Sequence, residues 1–489
     1  MKARIPSTSV PRRTLVPVAL LLAAGCTVVG PDYEVPEATL PEAWREAAEA
    51  GLAPGTADLA AWWRRLDDPL LDELVARATR DSLELREALA RVREARALRG
   101  VAASERFPVI DGILAYERRG ESDNTPLGAF VPDSNLYLGG FDASWELDLW
   151  GRVRRSVEAA DAELAATVED ARDVAVTVAA EVALNYVELR AFQRRLAIAR
   201  GNVSLQEQTL ELVRGRHDAG LVGDSDLAQA RANVATTRSR LPAFEIGLRG
   251  AENRLAVLLG QAPGTLAAEL EEARPIPVPP ISIAVGVPAD VLRRRADVRR
   301  AERFLAAETA RIGVAEGDLY PRLTLFGRLG LAAEDAEDLL AGDSSFFALG
   351  PSLRWNVFDA GRLRNRVAAQ EARAEGALAL WEHTVLLALE ETENAMTAFL
   401  REQVRRRSLS EAASQSRLAV GFAKTQYEEG LSDFQAVLDS ERALALLEDE
   451  LALSDAAITT NLVALYKALG GGFEHDPLAA AVAAADPGS

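Results

Sequence analysis

The chain has 489 residues, is 48% apolar but only 6% aromatic, and carries a formal net charge of −19. The apolar residues are mostly Ala, Leu and Val, which suits narrow helix–helix seams better than one bulky globular core. An acidic chain argues against a nucleic-acid partner, because phosphate binding needs a basic surface.

Residues 1–25 read as an export signal. Lys2, Arg4, Arg12 and Arg13 form a basic start, and Leu15 to Ala24 an apolar run too short to span a bilayer. Ala23-Ala24-Gly25 then precede Cys26, the single cysteine of the chain. A cysteine directly after a small-residue cleavage motif resembles a bacterial lipobox, with Ala23 where Leu is usual. Cys26 is therefore the expected lipidation site, and an ordinary secretory signal is the alternative. Thr27, rather than Asp, after the cysteine resembles outer-membrane sorting. One cysteine allows no internal disulfide.

Residues 27–58 are rich in Pro, Ala and Glu and read as an extended tether. Asp68-Pro69 reads as a helix start, with Leu70, Leu71, Leu74, Val75 and Ala78 at helical spacing behind it. A second helix is expected from Ser82 to Glu105. Residues 109–118 and 136–149 alternate around a turn-rich stretch, the pattern of a hairpin with a long loop. Trp145, Leu147 and Leu149 point one way, and Ser144, Glu146 and Asp148 the other.

From Arg152 to about His217 no proline occurs. A helix of that length runs on the order of 100 Å. Its small apolar residues recur every three or four positions, as in a coiled-coil seam. Gly220-Leu221-Val222-Gly223 makes a corner, with Asp224 as expected cap of a return helix to Gly260. Pro242 should interrupt that return helix. The Pro-rich stretch 263–288 cannot be helical throughout.

The stretch WELDLWGR at 145–152 returns as WNVFDAGR at 355–362, an offset of 210. Leu259-Gly260 and Leu469-Gly470 keep that offset, so the chain is two tandem copies of one strand-to-helix unit. In the second copy, residues 322–330 and 346–358 are the expected strands. Phe347, Leu349, Leu353, Trp355 and Val357 share one face, while Gly350, Ser352, Arg354 and Asn356 share the other. An apolar outer face, a polar inner face and aromatics near the ends are the marks of a membrane barrel strand. A half-buried soluble hairpin is the competing reading. Four strands cannot close a barrel, for which about eight are the minimum. Open edges are not tolerated in lipid, so several chains must share one barrel. A second long helix follows, with a corner at Gly430-Leu431-Ser432-Asp433 and a return helix to Gly470. The tail beyond Gly472 reads as poorly ordered.

No catalytic constellation is legible. The three histidines, at 217, 383 and 475, lack metal-ligand spacing, and there is neither a nucleophile elbow nor a phosphate loop. No enzyme activity, cofactor or metal is expected.

Several pieces resemble one family in order and spacing. They are Cys26 followed by VGPDYEVP, WWRRLDDPLLDEL at 62–74, WELDLWGRVR at 145–154, GVPADVLRRRADVRRAE at 286–302, LYPRL at 319–323 and RWNVFDAGRLR at 354–364. Together they resemble the TolC-type outer-membrane efflux factors, in particular the OprM-like lipoprotein branch (NodT family). The resemblance implies a mainly α fold with a β-barrel part: a long antiparallel coiled-coil tunnel, four membrane strands per chain and two tandem repeats. It implies a homotrimer sharing one barrel in the outer membrane of a Gram-negative bacterium, lipid-anchored by a covalent lipid (palmitate) on Cys26 and extending into the periplasm. It implies a passive exit duct for drugs or other small solutes, fed by an inner-membrane RND-type pump through a periplasmic adaptor (membrane fusion) protein. A lipid-anchored periplasmic coiled-coil scaffold without a channel is the alternative.

The expected division follows. Residues 1–25 are a lipoprotein signal peptide, 26–105 the tether and N-terminal equatorial helices, and 106–151 the first barrel hairpin. Residues 152–260 are the first tunnel hairpin, and 261–318 an inter-repeat equatorial segment and helix. Residues 319–358 are the second barrel hairpin, 359–470 the second tunnel hairpin and 471–489 the tail. For the periplasmic gate, the resemblance carries over Asp226 and Tyr427 as a linking pair and Asp439 as an acidic ring. Arg442 follows Asp439 on the same helical face. Ser432 stands where the family has its Arg partner, and Ala436 where it has a second acidic ring position. Ordinary polarity on a coiled-coil surface is the competing reading for these residues.

Overall fold

The computed structural model describes residues 28–46, 52–53, 59–122, 124–125, 130, 132–278 and 283–472. The signal segment, Cys26, His475 and the tail after Gly472 lie outside the described residues. The helices are α1 (Pro69–Asp81), α2 (Leu83–Ser104), α3 (Arg152–Asp218), α4 (Asp224–Arg238), α5 (Arg240–Leu258), α6 (Pro288–Arg294), α7 (Ala296–Gly317), α8 (Arg362–Glu428) and α9 (Phe434–Ala468). The longer strands are β1 (Val109–Arg119), β2 (Ser134–Leu147), β3 (Arg322–Ala333) and β4 (Ser345–Arg354). The chain forms two compact units. One holds Met1–Val35, Ala95–Leu164 and Arg303–Leu378; the other holds Pro36–Glu94, Ala165–Glu302 and Ala379–Ser489.

The first unit contains one antiparallel sheet in the order β1-β2-β3-β4. Its register sorts the side chains cleanly, because residues opposite one another share a face. One row runs Ile110, Ala143, Gly327, Leu349, and the next runs Gly112, Phe141, Leu329, Phe347. Trp145, Leu325 and Pro351 lie on the same side, as do Leu147, Leu323 and Leu353. Between Ile110 and Tyr116 on β1, and along the matching rows, this face carries no charge. Its large residues are nevertheless open, with Leu114 85%, Leu349 77% and Phe141 63% exposed. The opposite face carries Asp111, Glu117, Asp142, Glu146, Arg322, Arg328 and Arg354. There Arg328 Nε donates to Asp142 at 2.9 Å. β1 and β4 are the two edges, and among the described residues no further strand pairs with their outer sides. The second strand of the repeat ends at Arg354 rather than at 358, so Trp355 and Val357 lie beyond the ladder. The Trp355 indole instead donates to the Leu319 carbonyl at 3.1 Å.

The expected tether begins as a strap. Val29 N donates to the Trp150 carbonyl at 3.0 Å. Arg155 donates to the carbonyls of Val29 and Gly30 at 3.1 and 3.0 Å and to Asp32 at 2.7 Å. A guanidinium offers five donors in a fixed fork, which is why one residue can hold three acceptors. Gly30, at φ +87°, lies so close to Gly313 that a Cβ on it would sit 2.4 Å from the Gly313 Cα. Trp150, the strap's other contact, stacks on Tyr320 at 4.8 Å.

The second unit is helical apart from a short parallel pair, Leu52–Ala53 with Ile283–Ala284. Asp68 caps α1, accepting from Leu70 N and Leu71 N at 3.0 and 3.3 Å, and its other oxygen accepts from Tyr186 Oη at 2.6 Å. The fully buried Arg190 donates to Tyr186 Oη, to Gln193 and to the Glu272 carbonyl. A charge this deep is tolerable only because it is hydrogen-bonded. Trp62 stacks on Tyr466 at 5.5 Å in the same core, with Leu71, Leu74, Leu255 and Leu462. α2 starts and stops one residue inside the expected Ser82 to Glu105. The Pro-rich linker contributes a single helical turn, Ala267–Leu270. The return helix of the first copy breaks at Ser239, between α4 and α5, three residues before Pro242. Proline has no N–H for the carbonyl of Arg238 and its ring crowds that carbonyl, so the break falls ahead of it. Both copies then end on a left-handed glycine, Gly260 at φ +70° and Gly470 at φ +80°. Among the described residues no helix is long and apolar enough to cross a membrane.

Candidate gate at the helical corners

Each long helix reverses at a glycine in the left-handed region, Gly220 at φ +72° and Gly430 at φ +76°. There Leu221 N returns to the Arg216 carbonyl and Leu431 N to the Gln426 carbonyl, both at 2.8 Å. After the second corner, Asp433 is the cap of α9 and accepts from Ala436 N at 3.2 Å. After the first, Gly223 holds the cap position and Asp224 is the first helical residue. The expected Asp224 cap is therefore not formed. Its carboxylate takes the His217 ring nitrogen at 2.8 Å instead. That hydrogen bond holds the His217 pKa above its ordinary value.

Tyr427 is only 2% exposed, within an apolar cluster of Val213, Leu227, Ala230, Phe434, Val437 and Leu438. Its ring lies 5.7 Å from that of Phe434. The Arg216 guanidinium sits over the Tyr427 ring at 4.7 Å and donates to the Tyr427 carbonyl at 2.6 Å. Among the described residues the Tyr427 hydroxyl has no hydrogen-bond partner, and neither has the buried Ser432 hydroxyl. Burial pushes the Tyr427 pKa up; the Arg216 charge opposes this and the Asp226 charge adds to it. The structure thus brings Asp226 within electrostatic reach of Tyr427 without a hydrogen bond between them inside one chain. Asp226 lies in the first turn of α4, where the helix dipole favours a negative charge.

Asp439 is exposed and accepts from Gln435 at 2.9 Å. Arg442 is exposed one turn later on the same side of α9. Between them lies a residue that the motifs did not mark. Glu441 is 2% exposed and accepts from Thr209 Oγ1 at 2.6 Å and Asn233 Nδ2 at 3.2 Å. Val437, Glu441 and Leu444 follow the seam spacing of four and three, so a polar residue at a seam position was the available signal. Among the described residues there is no group of three or more potential metal ligands.

An open-edged sheet with one face free of charge across its middle, joined in one chain to two long helical hairpins, defines an outer-membrane channel whose barrel is shared between chains. The sequence profile described as outer membrane efflux protein matches residues 74–261 and 287–471, once for each copy. The chain belongs to that family. It is 30% identical over 461 residues to nodulation protein T of Rhizobium leguminosarum bv. trifolii, covering 94% of this chain and 97% of that one. It is 32% identical over 471 residues to the pyoverdine export outer membrane protein OpmQ of Pseudomonas putida, covering 94% and 97%. Among solved structures, the outer-membrane channel OprN superposes with a TM-score of 0.86 at 36% identity, over 91% of this chain and 99% of that one. The Campylobacter jejuni CmeC channel gives the same TM-score at 20% identity, over 94% and 98%, a likeness of fold. The protein is an outer-membrane duct of tripartite efflux systems, in a Gram-negative outer membrane and reaching into the periplasm. Proteins of this family form homotrimers and work with adaptor proteins and inner-membrane RND pumps. They are channels rather than enzymes.

Proposed function

We propose that this chain is a passive duct without catalytic turnover, lipid-anchored at Cys26 and closed at the helical corners. The observation that supports the duct most directly is the two-faced sheet. A scaffold in water has no use for an open, charge-free face backed by a charged one. The eight-part division set out from the sequence is proposed with it. At the constriction, Asp439 of each chain forms an acidic ring, with Arg442 one turn behind. Like charges held around one axis attract cations, so the ring binds divalent ions. Asp226 and Tyr427 link neighbouring helices. The unpartnered Tyr427 and Ser432 hydroxyls support a link that reaches a neighbouring chain, because buried polar groups are nearly always satisfied.

Planar-bilayer recording tests this. Wild-type trimer should conduct, and Asp226→Ala with Tyr427→Phe should raise single-channel conductance. Asp439→Asn should weaken divalent block with little change in assembly. Unchanged conductance and unchanged block together would return these residues to solvated surface. Cys26→Ser should lose fatty-acid labelling yet still trimerise, since the sheet itself provides the membrane-facing surface.

A further inference from the structure

Glu441 sits between Asp439 and Arg442 in sequence but faces the other way. Both neighbours are exposed, whereas its carboxylate is enclosed between three helices. One oxygen accepts from Thr209 on α3 and the other from Asn233 on α4, and these two donors are themselves 1% and 5% exposed. A single side chain of α9 is therefore held by both helices of the first hairpin. Toward the corner the packing is apolar, with Val437, Leu438 and Val213. Away from it lies another polar layer, where Asn202 donates to Glu448 at 3.2 Å. Lys424 of α8 is the cation that acts on Glu441 across the bundle, while α3 and α4 present neutral donors. Burial raises its carboxyl above the usual range.

Packing does not call for this residue. An apolar side chain, like Val437 or Leu444 in the same seam, fills such a place without the cost of burying a carboxylate. Polar seam residues instead fix register, because only one alignment satisfies them. Bonds to two helices at once fix both the rotation of α9 about its axis and its position along α3. That setting determines where Asp439 and Arg442 point. Among the described residues, Glu441 is the side chain of α9 nearest the corner that hydrogen-bonds to the first hairpin; Glu448 and Asp449, bonded to Asn202 and Arg195, lie about two turns further away.

We propose that Glu441 is the positioning residue that keeps α9 in the closed register, bonded to Thr209 and Asn233 until the second hairpin moves. The proposal rests on the gate reading above. Its test is single-channel conductance of the full-length trimer carrying Glu441→Leu or Glu441→Gln, with heat resistance of the trimer measured alongside. Glu441→Leu should raise conductance severalfold while the trimer stays heat-resistant. Glu441→Gln keeps an oxygen to accept from Thr209 and, once the Asn233 side-chain amide rotates to present its Oδ1, an NH2 to donate to Asn233, and should bring conductance back toward wild type. Unchanged conductance in an intact Glu441→Leu trimer would overturn the proposal, as would equal increases in the two variants. If Glu441→Leu does not assemble, Thr209→Val with Asn233→Ala removes the same bonds from the other side and should raise conductance likewise; no rise there overturns it too. Asp439→Asn, recorded in the same series, separates the two readings. Unchanged divalent block in that variant, beside raised conductance in Glu441→Leu, would sink the acidic ring and leave the positioning role standing.

Discussion

The two corners are copies of one another, and they have been put to opposite uses. At the repeat offset of 210, His217 matches Tyr427 and Asp224 matches Phe434. The first corner makes a polar pair from these positions, His217 to Asp224 at 2.8 Å. The second makes an aromatic pair, Tyr427 with Phe434 at 5.7 Å, buried under Arg216 from the first corner. The cap moves as well: Gly223 in one copy, Asp433 in the other. So does the return helix, broken at Ser239 in the first copy and unbroken for 35 residues in the second. Duplication preserved the backbone path, with its left-handed glycines, and left the side chains free to diverge. The unbroken copy is the one that carries Asp439, Glu441 and Arg442.

The largest effect should come from erasing the difference in the return helices. Ala452 stands where the first copy has Pro242, and it is 2% exposed inside α9. Ala452→Pro removes an internal hydrogen bond, clashes with the preceding turn and should cost about 3 kcal/mol or more. A sharp fall in the trimer's thermal midpoint checks this. Pro242→Ala should do the reverse, mending the helix across Ser239 and slowing amide exchange there. If both variants behave as wild type, proline has no part in the asymmetry.

Next in size is the contrast between the two faces of the sheet. Leu349 lies mid-strand on the charge-free face. Leu349→Arg should cost roughly 2–4 kcal/mol in each chain if that face meets lipid near the midplane. Its neighbour Ala348 faces the other way, opposite Arg328. Ala348→Glu places an attractive charge beside that arginine and should assemble normally. Equal yields of heat-resistant trimer from the two variants would undo the assignment of faces.

Asp433 and Asp224 offer a smaller comparison. Losing a side-chain cap costs about 1 kcal/mol, so Asp433→Ala should lower the thermal midpoint slightly. Asp224→Ala removes no cap and should move it less.

The architecture was largely legible because it is written in spacing. Period-two alternation, proline-free runs, the Trp and Gly landmarks and their common offset give strands, helices and duplication. What stayed hidden depends on contacts between segments far apart in sequence. Nothing in residues 28–33 announces that Arg155 will clasp them. Nothing around Asp224 says that His217 will take its carboxylate and leave Gly223 at the cap. Glu441 was half-visible, as a carboxylate at a seam position, but its donors come from two other helices. At the corners, the motif match located Tyr427 and Asp226; the unpartnered hydroxyl of Tyr427 is a property of packing alone.

The smallest expected effect is a pH response confined to one corner. The hydrogen bond that the His217 ring donates to Asp224 raises the His217 pKa, so the folded corner favours the protonated ring. A group whose pKa is raised on folding contributes fully below its ordinary value and loses that contribution as pH climbs through the raised one. The tie between the end of α3 and the start of α4 should therefore loosen as pH rises above the ordinary histidine value of 6.5. At the second corner Tyr427 and Phe434 occupy the matching positions and do not titrate there, so that corner should hold. Amide exchange of residues 219–224 against residues 429–434, followed across that pH range, reads the difference directly. Exchange at the first corner should quicken with pH beyond the intrinsic chemical rate, and the second should show no such excess. Asp224→Asn removes the nearer anion, leaves Asp218 at 3.6 Å from the other ring nitrogen, and should weaken the response. A first corner that ignores pH, or a second that follows it equally, would mean that the His217 pair contributes nothing to holding the turn.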